Sequence, residues 1–298
     1  MRNIRVTSGF KRILGYNGEV YQVRTIAELG EKRMERSFIQ DYQRVVIKIG
    51  TNSIMQAHNK VNYQKLDRLA YVCSSLQQAG KEIILVSSGA VGVGASVLQY
   101  DAYPSNIAEQ QALAAVGQSI LMGHYSRFFQ HYNQHVAQVL LTRDVIDFPT
   151  SYNNVRTALD TLLAKQIIPI INENDTVAVD ELDHQTKFGD NDTLSAIVAT
   201  VTDADLLIIM SDVDGLYTDN PMRNSEAVMI DHVGEITDEI IYMASGKGSE
   251  FSKGGMLTKI KAAERILAVE KAMIITNSED PAGLFEILEG KHIGTLFK

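Results

Sequence analysis

Two short polar clusters in this chain carry residue types that could bind and orient a small charged molecule. Asn172, Glu173, Asn174 and Asp175 follow the apolar run Ile167 to Ile171, and after a polar excursion Gly189, Asp190, Asn191 and Asp192 lead into an apolar-periodic segment. Amides can orient a carboxylate without adding repulsive charge, and a carboxylate can take an ammonium group. The plainer reading is a solvated loop and an ordinary helix cap, roles in which Asp and Asn are common. A third group is cationic. Lys48 interrupts the strand-like VVIKI, and buried strands seldom carry a lysine unless it is paired or meets an anion. Far along the chain, SGKGSEFSKGGMLTK passes Lys253, Gly254 and Gly255 into a helix carrying Lys259. Backbone donors, a helix dipole and two ammonium groups converging there suit polyphosphate. A solvated helix face is the competing reading of Lys259 and Lys261. Finally, SSGAVGVGA places Ser87, Ser88 and Gly89 at a strand-to-helix junction, where glycine lets a ligand approach the backbone N–H groups. It matches neither GxGxxG nor GxxxxGK followed by Ser or Thr, so neither a Rossmann fingerprint nor a P-loop is supported.

The elements that must position these groups alternate in type. Strands are expected at Val45–Ile49, Ile83–Val86, Val136–Leu141, Ile167–Ile171, Leu206–Met210 and Ala272–Thr276, with a short one at Val228–Ile230. Between them helices are expected over Asn62–Gly80, over Ala108–Asn133 with an interruption at Gly117, from a cap at Thr150 or Ser151 to Lys165, over Asp192–Thr202, over Thr237–Ala244, and from the glycine-rich loop through Ile266. Thr176 to Phe188 reads as a hairpin or a lid. This alternation predicts an α/β fold, a mainly parallel sheet with helices on both faces, with ligands beyond the carboxyl ends of the strands. Asn172 and Ser211–Asp212 both stand at such ends.

Composition narrows the function classes. The chain has 298 residues, 45% hydrophobic and 21% charged, which fits a globular protein rather than extensive disorder. A net charge of −8 gives no electrostatic footprint for nucleic acid or an anionic membrane, and no apolar run approaches the ~20 residues of a membrane span. The single cysteine, Cys73, excludes an internal disulfide framework and agrees with a reducing, cytoplasmic setting. It lies at helical spacing among Leu69, Ala70, Val72 and Leu76 and reads as core. His131 and His135 have helical metal-ligand spacing with no third ligand near. Residues 1–43 form a basic N-terminal extension of uncertain status, a leader, an added element or a segment before a natural start at Met34; residues 44–298 read as one domain.

The pieces VVIKIGTNS, ILVSSGAVGVG, QALAAVGQ, QVLLTRD, IIPIINENDTVA, FGDNDTLSAIVA, DVDGLYTDNP and KGGMLTK, in that order from about Arg44, resemble the amino acid kinase family. INEND followed by GDND points to its glutamate-phosphorylating branch, in the form without a C-terminal PUA domain, rather than to its acetylglutamate, uridylate or aspartate kinases. The resemblance implies a three-layer αβα sandwich that transfers the γ-phosphoryl of ATP, with Mg²⁺, to the side-chain carboxylate of L-glutamate in proline synthesis. By motif position, Lys48 and Lys259 would flank the phosphoryl group, Asp192 would organise them, and Gly50 and Gly89 would donate N–H groups. Ser88, Asn172, Asp175, Asp190 and Asn191 would hold glutamate. Lys48, Ser211, Asp212 and the run Lys253, Gly254, Gly255, Met256, Leu257, Thr258, Lys259 would hold the nucleotide; no residue is assigned as a metal ligand. Lys253 stands where the family commonly has threonine. Proline as feedback inhibitor and a homodimer or homotetramer are further implications. The alternatives are a related carboxylate kinase, such as one acting on N-acetylglutamate, and a non-catalytic amino-acid sensor. Asp175 argues against the first, since an acylated nitrogen needs no anion, and the presence of Lys48, Lys259 and Asp192 argues against the second.

Overall fold

Short β-branched runs bounded by turn residues build a central eight-stranded sheet. Its strands are β1 (Arg44–Ile49), β2 (Glu82–Ser87), β3 (Val136–Leu141), β4 (Ile168–Glu173), β5 (Leu206–Ser211), β6 (His232–Val233), β7 (Ala272–Asn277) and β8 (Thr295–Phe297). The computed structural model describes residues 10–14, 20–24, 34–56, 60–178, 180–181, 184–185, 190–245 and 255–298. Across the sheet the order is β6-β8-β7-β5-β1-β2-β4-β3. The six strands from β7 to β3 are parallel, while β8 runs antiparallel to β7 and carries β6 parallel to itself. The principal helices are α1 (Tyr63–Gln78), α2 (Ala90–Val97), α3 (Ile107–His131), α4 (Pro149–Ala164), α5 (Asn191–Val201), α6 (Asp238–Ser245), α7 (Gly255–Leu267) and α8 (Gly283–Leu288).

Alternation along each strand divides the core in two, because successive side chains point to opposite faces. Val45, Ile47 and Ile49 of β1 pack with Leu66 and Leu69 of α1, Leu121 and Phe129 of α3 and Ile287 of α8. Val46 faces the other way, with Leu159 of α4, Leu194 and Ile197 of α5, Ile240 of α6 and Ile260 of α7. The expected α/β sandwich with a mainly parallel sheet is therefore the observed architecture, and Cys73 lies fully buried in the first of these cores.

Several local expectations are corrected. Gly117 does not interrupt α3, which runs unbroken from Ile107 to His131. It is a contact point instead: a Cβ there would lie 1.8 Å from the Ala90 carbonyl oxygen of α2, and one at Gly94 would lie 2.1 Å from the Leu113 carbonyl oxygen. Gly94 thus packs helix on helix. Thr150 and Ser151 cap nothing; α4 starts earlier, with Phe148 at the cap and Pro149 in the first turn, where a missing N–H costs little. Val228–Ile230 makes only an isolated bridge, Tyr217 with Met229, and the nearby sheet strand is β6. Strand β4 carries on through Asn172 and Glu173. In the excursion after it, Asp180–Glu181 pairs antiparallel with His184–Gln185, as a hairpin would; residues 179, 182–183 and 186–189 lie outside the described residues.

Of the N-terminal extension, Phe10–Leu14 and Val20–Arg24 form an antiparallel pair. Met34 packs against the first of the two cores. Arg36, 0% exposed, donates to the carbonyl oxygens of Ile293, Asp231 and Gly294 at 2.8, 2.7 and 3.1 Å and pairs with the Asp231 carboxylate at 3.3 Å.

Candidate active site

Lys48 follows Val46 by one pleat and therefore points to the face covered by α5 and α7. Its neighbours in register are Ile209 on β5 and Val86 on β2, so it stands near the carboxyl edge in the middle of the sheet. Opposite it, α5 starts where Asp190 caps it. The Asp190 carboxylate accepts from the Thr193 N–H at 2.8 Å and the Thr193 hydroxyl at 3.1 Å, which satisfies an otherwise orphaned backbone donor. The cap fixes the direction of the next two side chains, Asn191 and Asp192.

Asp192 is 3% exposed and lies between two buried ammonium groups. Lys48 Nζ is 2.7 Å from Oδ1, an ion pair without hydrogen-bond alignment, and Lys259 Nζ donates to Oδ2 at 3.1 Å. The Thr258 hydroxyl donates to the same Oδ2 at 2.7 Å. Burial pushes the Asp192 carboxyl up, but the charges of Lys48 and Lys259 with the Thr258 hydrogen bond outweigh it and hold the group below the usual carboxylate range. Among the described residues, Lys48 and Lys259, at 8% and 7% exposure, thus lie together with Asp192 as their shared counter-charge. Two cations at one carboxylate leave an excess of positive charge, the arrangement that receives a more highly charged anion such as a polyphosphate.

Asn191 reaches the other way. Its Nδ2 donates to the Ser87 carbonyl oxygen at 3.0 Å, the Ser88 hydroxyl at 2.8 Å and Asn172 Oδ1 at 3.1 Å. Asn172 lies two positions beyond Ile170 and so faces α3, where its Nδ2 donates to Gln118 Oε1 at 2.9 Å. The Ser87 hydroxyl meets the Tyr125 hydroxyl of α3 at 2.9 Å. Gly89, at φ +100°, caps α2, a left-handed conformation that a side chain would strain. Gly50 lies beside the cations, since a Cβ on it would be 3.6 Å from Lys48 Nζ.

Of the residues singled out from sequence, Lys48, Lys259, Thr258, Asp192, Asn191, Asn172 and Ser88 form one connected constellation. Gly50 adjoins the Lys48 end and Gly89 follows Ser88. Asp190 serves as a cap with both oxygens engaged, and Asp175 sits half-buried in the turn after β4. Ser211 ends β5 one pleat past Ile209, the register partner of Lys48, and donates to Asp212 Oδ1 at 3.0 Å. Gly255, Met256 and Leu257 form the first turn of α7, and the Gly255 carbonyl oxygen accepts from Lys259 Nζ at 3.0 Å. Lys253 and Gly254 lie outside the described residues. Sequence reasoning passed over Gln118 and Tyr125 as site residues; their signal was polarity on an otherwise apolar helical stripe. A cleft of about 720 Å³ between α1 and the Glu279–Pro281 turn contains none of these groups; in it Arg68 pairs with Asp280 at 3.3 Å. The constellation lies at the strand ends instead.

A mainly parallel sheet with lysines, a carboxylate and glycine junctions at its carboxyl edge defines a phosphoryl-transfer class of fold and site. A family model described as the amino acid kinase family matches residues 43–277. Among solved structures, the carbamate kinase from Giardia lamblia bound to AMP-PNP superposes with a TM-score of 0.61 at 18% identity, over 87% of this chain and 99% of that one. The UMP kinase from Bacillus anthracis gives 0.58 at 18% identity, over 86% and 96%. Among curated relatives, the glutamate 5-kinase of Enterococcus faecalis is 54% identical over 262 residues, 88% of this chain and 97% of its own. The glutamate 5-kinase of Listeria monocytogenes is 53% identical over 262 residues, covering 88% and 95%. The chain belongs to the amino acid kinase family, on its glutamate 5-kinase branch.

Proposed function

We propose that this chain transfers the γ-phosphoryl group of ATP to the side-chain carboxylate of L-glutamate, giving L-glutamyl 5-phosphate and ADP, the first step of proline biosynthesis. The names of the relatives support the substrate pair. The observation that carries the assignment of roles is adjacency on α5: Asp192 holds Lys48 and Lys259, while its neighbour Asn191 ties Ser88 to Asn172. A donor pocket and an acceptor pocket thus meet within one helical turn.

In this reading a glutamate carboxylate oxygen attacks the γ-phosphorus as the bond to the β,γ-bridging oxygen breaks, and the electron pair leaves with ADP. The nucleophile is already ionised near neutral pH, so no general base is required. Lys48 and Lys259 offset charge on the transferring group, with N–H donation from Gly50 and Gly89. Asp192 keeps the two ammonium groups in place. Asn172, Asn191 and Ser88 orient the carboxylates of the amino acid, with Asp190 and Asp175 beside them and Asp175 facing its ammonium group. Ser211, Asp212 and the segment Lys253 to Lys259 hold the nucleotide. Among the described residues no three of His, Cys, Asp or Glu converge as a metal cage. Mg²⁺ would arrive with the nucleotide phosphates, an ion that commonly takes only one or two protein carboxylates and keeps several waters; when bound it would neutralise phosphate charge. Among the described residues no helix is long and apolar enough to cross a membrane. Feedback inhibition by proline at the acceptor pocket, a homodimer or homotetramer and a cytoplasmic setting complete the reading.

The test is ATP consumption with glutamate, N-acetylglutamate and aspartate, with hydroxylamine trapping the acyl phosphate. Glutamate-dependent hydroxamate is expected; a product formed only with N-acetylglutamate, or none at all, overturns the assignment.

A further inference from the structure

The buried face of α3 repeats at helical spacing as Leu113, Ala114, Gly117, Gln118, Leu121, Tyr125 and Phe129. At 8% exposure, Gln118 occupies a slot where an apolar side chain would pack without the cost of burying an amide. Buried amides of this kind have a partner, and here the partner is Asn172: Gln118 Oε1 accepts from Asn172 Nδ2 at 2.9 Å. That contact holds the NH₂ end of the Asn172 amide, while two donors on the other side hold its oxygen. With its NH₂ end committed to an oxygen acceptor, its oxygen must face away, where it accepts from the Glu173 N–H at 2.9 Å and Asn191 Nδ2 at 3.1 Å. The reversed amide would set Nδ2 against these two donors and lose all three bonds.

We propose that Gln118 is a positioning residue for the acceptor substrate: by anchoring the NH₂ end of Asn172, whose oxygen the Glu173 N–H and Asn191 hold, it steadies the amide that Asn172 and Asn191 present to the carboxylates of the amino acid. Gly117, its neighbour, lies against Ala90 just past Gly89, so the same turn of α3 is pressed onto the glycine junction as well. The inference rests on the reading of this pocket as the glutamate site. The donor side of the site, Lys48, Asp192 and Lys259, shares no hydrogen bond with Gln118, so the effect of altering it is confined to one substrate.

Gln118→Met keeps the length and removes the acceptor oxygen. Loss of one hydrogen bond to a buried amide predicts a rise of about tenfold in KM for glutamate, with KM for ATP changed less than about twofold. The purified full-length chain is assayed by coupled ADP release, alone and with Asn172→Ala in a double-mutant cycle. On the Asn172→Ala background the further change in glutamate KM is expected to be under about twofold, because the residue through which Gln118 acts is gone. Gln118→Leu serves as a second substitution should Met pack badly, and melting curves report whether each variant is folded. An unchanged glutamate KM in a folded variant, an equal shift in both KM values, or the same factor on both backgrounds overturns the proposal. If wild-type protein itself shows no glutamate-dependent turnover, the functional reading fails instead, so the two failures are distinguishable.

Discussion

Replacing Asp192 by asparagine tests the charge arrangement most directly, because the substitution keeps shape and removes one charge. The carboxylate meets Lys48 at 2.7 Å and Lys259 at 3.1 Å. At an effective dielectric of about 20, each contact is worth roughly 5–6 kcal/mol of gross Coulomb attraction. Most of that is offset by the desolvation of three buried ions, and losing one partner of such a set costs about 3–5 kcal/mol because the remaining charges are left buried and unpaired. At roughly 2–4 °C per kcal/mol for a domain of this size, Asp192→Asn should melt about 6–20 °C below wild type. The lysines would then face each other with no anion between them, so a triphosphate becomes the missing counter-charge. Metal-free ATP at matched concentration should therefore raise the melting temperature of Asp192→Asn by more than it raises that of wild type. Turnover should fall by about 10² or more, by analogy with the loss of a preorganised charged partner. Thermal melting with and without ATP, beside steady-state kinetics, reads all three quantities. A shift below about 2 °C, or a larger ATP effect on wild type, would refute the claim that this carboxylate holds two buried cations together.

The same group gives a pH signature: since its folded-state pKa lies below the unfolded value of about 4, its contribution is fully present above that value and disappears as pH falls through the folded one. Urea titrations from pH 6 downward should show wild type losing more stability below about pH 4 than Asp192→Asn does, and parallel curves would contradict this. Gly117→Ala would place a methyl group 1.8 Å from the Ala90 carbonyl oxygen and 2.4 Å from Gly94 N. It should destabilise by about 1–3 kcal/mol in chemical denaturation and raise glutamate KM more than ATP KM. Arg36→Met removes a guanidinium that serves three carbonyl oxygens and Asp231, so a loss of about 3 kcal/mol or more is expected in the same assay. KM values should barely move, since those partners lie beside β6 and β8 rather than with Lys48 or Asn172. Lys48→Ala or Lys259→Ala should lower kcat by about 10² or more, and near-normal turnover in both would remove the proposed phosphoryl clamp.

The architecture was readable because its strands are short apolar runs with turn residues at each end, and Val136–Leu141 came out of the sequence with the boundaries the fold shows. What escaped were features decided by tertiary contact. The three-residue β8 and the six-residue α8 are too short to display a period. Gly117 looked like a helix breaker from propensity, whereas its role is steric and set by α2. In the site, Lys48 was conspicuous because charge in a buried strand is rare, and Asn172 and Asn191 because their clusters frame a strand and a helix. Gln118 and Arg36 were not: a glutamine on a helix and an arginine before a strand are ordinary in sequence, and only the depth at which each is buried marks it.

The capped start of α5 has a mechanical consequence. Asn191 and Asp192 are consecutive, one turned toward the α3 side of the sheet and the other toward α7. Their Cα atoms are separated by one trans peptide, about 3.8 Å, a length that thermal motion hardly alters. The gap between the residues serving the incoming acid and those serving the nucleotide is therefore gauged by a covalent ruler rather than by loop packing. A displacement of the helix would carry both ends of that ruler together and leave the spacing intact.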